Sequence, residues 1–242
     1  MGNTVVEAHK AFLRLPETAV GRALIPTAQS LRDVAYQCIK HLIVTGVLKP
    51  GDYINEATLS SRLDVGRTPV HQAIDRLVGD SLVEVIPRKG IVIKPLSLDE
   101  IFQTLDVRIL NETAAAEKAG DNAGLADIEA LRRLIDLFSQ AAQKSDFVRM
   151  MYLDREFHLI IAHASGNPVL AEILRGIHDR SLRFWLTSVR APMRYDDIVR
   201  EHTAIVDAIV AREKQAASGA MRRHIESARD SLVRHMSMQI AV

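Results

Sequence analysis

Residues 65–78 read VGRTPVHQAIDRLV, and no other stretch narrows the fold of this chain as much. Val70, Ala73, Ile74, Leu77 and Val78 recur at i, i+3, i+4, i+7 and i+8, which is one continuous apolar face at helical spacing. Thr68 is placed to cap this helix, and Pro69 suits the first helical position, where a missing N–H costs nothing. Gly79 follows where a left-handed C-terminal cap is expected. Opposite the apolar face stand Arg67, His71, Gln72, Asp75 and Arg76, a polar face rich in hydrogen-bond donors. Any solvated surface helix can show such a face, so the neighbouring sequence has to decide its meaning.

Upstream, Thr27 is placed to cap an amphipathic helix on which Leu31, Val34, Ala35, Cys38, Ile39, Leu42 and Ile43 are apolar, ending at Gly46. Lys49, Pro50, Gly51 and Asp52 make a turn, Tyr53 and Ile54 a short extended segment, and Asn55 caps a second helix that runs to Leu63. Only the turn 64–68 separates it from the opening helix, which is helix-turn-helix spacing. Downstream, the apolar segments 82–86 and 91–94 flank a basic turn of Pro87, Arg88, Lys89 and Gly90, the pattern of a two-stranded wing. Such a unit can set its third helix in the major groove of DNA while Arg88 and Lys89 approach phosphates or the adjacent minor groove.

Composition limits what else the chain can be. Its 242 residues suit one or two domains, and a charged fraction of 25% that nets only +1 excludes a generally basic coat for nucleic acid. DNA contact must therefore be local. The single cysteine, Cys38, rules out an internal disulfide framework and falls on an apolar helical face, which suits a core thiol in a reduced, cytoplasmic protein. No apolar run approaches the roughly 20 residues of a membrane span, and the first 25 residues lack the apolar core of a signal peptide. Residues 1–26 show no sustained period and read as an N-terminal arm, and 27–95 as the winged helix-turn-helix domain.

Pro95 closes that unit, and Ser97 with Glu100 forms a capping box that opens another at residue 96. From there to residue 242 the pattern is helical, with spans at 98–118, 125–143, 146–164, 168–188, 195–212 and 214–238. The expected fold class is mainly α: a winged helix-turn-helix of three helices plus a two-stranded wing, then an antiparallel all-α bundle of six to seven helices.

Several polar residues sit on faces that should be buried. His202 lies within the stripe of Ile198, Ile205 and Ile209, and Asp154 within that of Met150, Phe157 and Ile161. His158 follows Asp154 by one turn, and His224 flanks the stripe of Met221, Ile225, Ala228 and Leu232. A buried carboxylate must be paired, protonated or metal-bound. Two readings fit, an Asp–His hydrogen bond in the core or a metal site; an N3O ligand set favours Zn²⁺ or Ni²⁺ and admits Mn²⁺ or Fe²⁺. His163, His178 and His235 fit the set less well and read as surface or satisfied histidines. Arg108 shares a stripe with Ile101, Leu105 and Glu112, as half of a buried ion pair or as a fork for a ligand carboxylate.

The segment VGRTPVHQAIDRLVGDSLVEVIPRKGIVI, with VRILNE at 107–112, DREFH at 154–158, SGNP at 165–168, the pair Glu201 and His202, and His224, resembles the GntR family of bacterial transcription regulators. Within it the likeness is to the FadR-like group, which carries an all-helical FCD ligand-binding domain. The resemblance implies a homodimeric repressor or activator whose operator affinity changes when a small organic acid binds the helical domain. It implies metal ligation by Asp154, His158, His202 and His224, effector binding at Arg108, and approach of Arg67, Thr68 and Gly90 to DNA; a symmetric dimer would place two recognition helices in successive major grooves, so the expected operator is a short inverted repeat. Two departures stand out: the family commonly has Arg where this chain has His71, and Ser where it has Gly66. A metalloenzyme that activates water at the same Asp/His site is the rival reading. It leaves the winged helix without a purpose and offers no separate general base.

Overall fold

The computed structural model describes residues 30–188 and 195–240, which form two compact units that divide between Leu96 and Ser97. The expected arm at 1–26 and the expected cap Thr27 lie outside the described residues.

The first unit runs α1 (Leu31–Val44), β1 (Tyr53–Ile54), α2 (Glu56–Leu63), α3 (Arg67–Gly79), β2 (Val83–Ile86) and β3 (Gly90–Ile93). Ser30 caps α1 by accepting from the Asp33 N–H, and Asn55 caps α2 by accepting from Thr58 at 2.8 Å. Gly46 takes the left-handed turn that ends α1, with φ of 72°. Ala35, Ile39 and Ile43 of α1 and Val70, Ala73, Ile74 and Leu77 of α3 meet in one core with Leu82, Ile91 and Ile93. Cys38, expected in the core, is only half-buried, and burial pushes its thiol pKa up.

Four expectations change. The helix at 67–79 starts earlier than its cap signals imply: extended Gly66 is the N-cap, so Thr68 caps nothing and Pro69 is the third helical residue. Proline is tolerated there because every first-turn N–H is free of an intrahelical partner. Gly79 is the last helical residue, and the left-handed turn falls on Ser81, whose φ of 59° lets Leu82 N–H bond Leu77 O at 3.0 Å and carry Leu82 into the core. Val78 lies on the rim, 40% exposed, so the apolar face is one residue narrower than the periodicity suggests. The wing gains a third strand: β1 pairs antiparallel with β3, Tyr53 opposite Val92 and Ile54 opposite Ile91, in the order β1-β3-β2. Gly90 permits this, since a Cβ there would stand 3.0 Å from Ile54 O.

The second unit consists of α4 (Leu98–Asn122), α5 (Leu125–Gln143), α6 (Phe147–Ala164), α7 (Pro168–Ser188), α8 (Tyr195–Val210) and α9 (Lys214–Ile240). Connections of three residues join α5 to α6, α6 to α7, and α8 to α9, which forces antiparallel neighbours. Ser97 accepts from the Glu100 N–H at 3.0 Å to start α4. That helix runs four residues past its expected end, through Gly120, because the missing side chain admits the start of α9; a Cβ would lie 2.9 Å from Lys214 Cα. Arg212, in the turn between α8 and α9, donates to the Gly120, Asp121 and Ala123 carbonyls and so satisfies the end of α4. Both constraints hold α4, α8 and α9 around a shared interior. No helix among the described residues is long and apolar enough to cross a membrane.

Candidate metal centre and DNA-reading face

The candidate DNA-reading face is set by the α3 core. With Val70, Ala73, Ile74 and Leu77 turned inward, Arg67, Thr68, His71 and Gln72 share the opposite, exposed face, while Arg88 and Lys89 are exposed at the hairpin tip beside Gly90. Arg88 adopts a positive φ of 66° and Gly90 one of 103° to close that turn. Arg76, also on the polar face of α3, is drawn back toward α1: its guanidinium lies 3.8 Å from the Tyr36 ring centroid and 3.5 Å from Asp33 Oδ1. Tyr36 OH in turn donates to Asp80 and accepts from Lys40 Nζ. His71 has a partner that its own helix did not reveal. Its Nδ1 lies 2.7 Å from Glu56 Oε1 on α2, and Nε2 3.8 Å from Asp75 Oδ2. The Glu56 hydrogen bond, followed by the charges of Glu56 and Asp75, raises the imidazole pKa above its ordinary value.

In the helical unit, α6 supplies Asp154 and His158, α8 supplies His202 and α9 supplies His224, and one ligand atom from each lies within 4.8 Å of all the others. The histidines are buried and Asp154 is half-buried. Aromatic contacts hold the His202 ring, with Phe157 stacked at 4.0 Å and Phe138 edge-on at 5.6 Å. His202 Nε2 has no aligned hydrogen bond, though it lies 3.3 Å from Asp154 Oδ1. Burial pushes this imidazole down toward the neutral form, against the pull of Asp154. Burial also opposes ionisation of Asp154, but His158, His202 and His224 outweigh it and hold the carboxyl well below the usual range.

The tautomers test whether these residues suit a cation. Arg108 Nη2 stands 3.3 Å from His158 Nε2, and a guanidinium only donates, so His158 Nε2 offers a lone pair. His224 Nδ1 lies 2.8 Å from Glu201 Oε2, so a neutral His224 carries its hydrogen on Nδ1 and offers a lone pair at Nε2. These two Nε2 atoms face each other at 3.2 Å. Two acceptors at that separation repel unless a cation or proton lies between them. Ligand atoms about 2.1 Å from one ion stand roughly 3.0–3.4 Å apart; the 3.2 Å between these nitrogens and the 3.3 Å from His202 Nε2 to Asp154 Oδ1 suit a divalent metal, while Asp154 Oδ1 stands somewhat wider of His158 Nε2 at 3.8 Å.

Behind the set lies Glu112. Its carboxylate receives Arg108 Nε at 2.5 Å and lies 2.5 Å from His158 Nδ1 and 3.2 Å from His178 Nε2. The ion pair considered for Arg108 is thus present, with both partners buried. His178 is no surface histidine: it is buried on α7, stacked on His158 at 4.8 Å, and burial lowers its pKa to about 4. The missed signal was the stripe of Leu174, His178, Leu182 and Trp185, all buried at helical spacing. Glu112, His158 and His178 also cluster within 4.8 Å, but the fixed charge of Arg108 disfavours a second ion there. His163 is exposed, as read. Glu201, which holds His224, had no periodic signal pointing to that role.

Residues 31–93 match the pattern of the gntR family of bacterial regulatory proteins, and residues 103–227 match the FCD domain. The chain is 26% identical over 190 residues to the uncharacterized HTH-type transcriptional regulator YdhC of Bacillus subtilis, covering 78% of this chain and 85% of that protein. It is 25% identical over 198 residues to the HTH-type transcriptional repressor GlaR of Escherichia coli, covering 78% and 90%. The solved structure of E. coli McbR/YncC shares the fold, with a TM-score of 0.76 at 23% identity, over 86% of this chain and all of that one.

Proposed function

Because the chain belongs to the GntR family of bacterial regulatory proteins and carries an FCD domain, we propose that it senses a small carboxylate in its helical unit and changes its affinity for an operator in response. It is a transcription regulator rather than an enzyme. The winged helix-turn-helix reads double-stranded DNA through Arg67, Thr68, His71 and Gln72, with Arg88, Lys89 and Gly90 against the backbone or minor groove. As a homodimer in the bacterial cytoplasm it presents two such faces, which suits an inverted-repeat operator.

Asp154, His158, His202 and His224 hold a divalent ion, Zn²⁺ or Ni²⁺ ahead of Mn²⁺ or Fe²⁺. When bound, the ion supplies a positive anchor for a carboxylate. Arg108 commits Nε to Glu112 and holds Nη2 3.3 Å from His158 Nε2, which leaves the Nη1 N–H groups for the effector's carboxylate. The observation that carries this reading is the pair of acceptor nitrogens facing each other at 3.2 Å beside a buried arginine. Effector binding biases the equilibrium between DNA-competent and DNA-released arrangements by no more than its difference in affinity for the two.

The test is a thermal-shift series on the full chain, first with chelator, then with Zn²⁺ or Ni²⁺, then with a panel of carboxylic acids on the metal-loaded protein. A ligand at a hundred times its Kd adds about 2.7 kcal/mol to stability, so metal should raise Tm and some acid should raise it further. Those acids should then change operator binding measured by fluorescence anisotropy. A Tm indifferent to metal and to every acid would remove the proposal.

A further inference from the structure

Beyond its four candidate ligands, the centre has a carboxylate with no place among the residues that would touch the ion. Glu201 lies on α8, next in sequence to His202 but facing α9, where Oε2 meets His224 Nδ1 at 2.8 Å and Oε1 accepts from Ser227 Oγ at 2.7 Å. Ser227 is three residues after His224, so one turn of α9 supplies both the imidazole and the hydroxyl that grips its carboxylate. His158 has a carboxylate of its own in Glu112, but that one is already committed to Arg108. Glu201 therefore governs His224.

We propose that Glu201, held by Ser227, is a positioning residue that fixes His224 as a metal ligand by keeping its hydrogen on Nδ1 and its lone pair on Nε2. This rests on the metal reading given above. The physical reason is that an imidazole binds a cation only through an unprotonated nitrogen. A carboxylate on the far nitrogen selects the competent tautomer, sets the ring plane and makes the bound nitrogen more electron-rich. Without Glu201, His224 would divide between two tautomers, one with a hydrogen pointing at His158 Nε2. A purely structural Glu201–Ser227 clasp between α8 and α9 would affect stability and leave metal affinity alone.

Zn²⁺ affinity of the chelator-treated full chain, measured by competition with a metal-binding dye, separates these roles. Losing an outer-shell partner of a metal-bound histidine usually weakens affinity about 10–100-fold. That is the loss expected for Glu201→Ala, with a smaller one for Ser227→Ala. Glu201→Gln keeps an acceptor for Nδ1–H and should recover part of the affinity. In the metal-free protein, ¹⁵N NMR should show His224 as the Nδ1–H tautomer in the wild type and as a mixture in Glu201→Ala. His224→Ala is the control for the centre itself. If wild type and His224→Ala are equally poor at holding Zn²⁺, the metal reading fails and this proposal with it. If His224→Ala loses Zn²⁺ while the Glu201 and Ser227 variants retain wild-type affinity and tautomer, the positioning role is overturned and the metal reading stands. Should Glu201→Ala not fold, Ser227→Ala and Glu201→Gln carry the same comparison.

Discussion

Replacing Glu112 by alanine would leave Arg108 as a bare charge inside the helical unit, since the two side chains are only 4% and 3% exposed. Removing one member of a buried ion pair costs about 3–5 kcal/mol, because the other must remain desolvated without compensation. The upper part of that range is expected, as the same carboxylate also faces His158 and His178. Trp185, the chain's single tryptophan, is buried on α7, so its fluorescence follows this unit during urea unfolding. With a slope near 2 kcal/mol/M, the midpoint should fall by roughly 2–2.5 M. The double variant Arg108→Met with Glu112→Leu removes both charges and should recover most of the loss. The pH dependence has a definite sign. Burial opposes ionisation of Glu112, but Arg108 and the histidines outweigh it and hold its pKa well below the ordinary 4.5. A carboxyl depressed in the folded state adds stability above its unfolded pKa and loses it as pH falls through the folded value. The advantage of wild type over Glu112→Ala should therefore be full at neutral pH and shrink below about pH 4.5. A midpoint shift under about 0.5 M, or a double variant no more stable than the single one, would refute the pairing argument.

Three further outcomes are expected. Arg67→Ala should weaken operator binding by about 1–3 kcal/mol if the guanidinium reads a guanine edge, and anisotropy titrations showing undiminished affinity would exclude that contact. For His71, a folded pKa raised above 6.5 means that pairing with Glu56 contributes fully below pH 6.5 and fades as pH climbs through the folded value. Glu56→Gln should bring the His71 titration, followed by NMR, down toward 6.5, and an unmoved titration would show that the pair does not form. Gly120→Ala would push a Cβ to 2.9 Å from Lys214 Cα and force α4 and α9 apart, at a cost of about 1–3 kcal/mol in urea unfolding; a neutral substitution would contradict the close approach.

The sequence by itself determined what depends on a few neighbouring residues. Asn55 and Ser97 announce the helices that follow them, because a cap bonds an N–H three residues away. The helix 125–143 was legible to the residue, and the stripes around Asp154 and His202 showed that polar groups were headed inward, because a helical face repeats every 3.6 residues whatever packs against it. Where local signals competed, they misled. Thr68 and Pro69 both look like a helix start, yet extended Gly66 takes the cap. The first bundle helix was expected to end at residue 118, yet it runs on through Gly120, whose missing side chain lets α9 approach.

Tertiary structure alone decided which faces meet. Tyr53 and Ile54 carry too few residues to declare a strand until β3 lies beside them. Nothing within α3 says that His71 will find Glu56 on α2, or within α7 that His178 will stack on His158. The candidate metal centre is the extreme case. Its four ligands come from three helices, Glu112 and Arg108 reach it from a fourth, and Glu201 acts on it through a neighbour's imidazole. Periodicity reports the direction of a side chain relative to its own helix axis, but a donor set whose atoms all lie within 4.8 Å of one another depends on how those axes pack, which no single helix encodes.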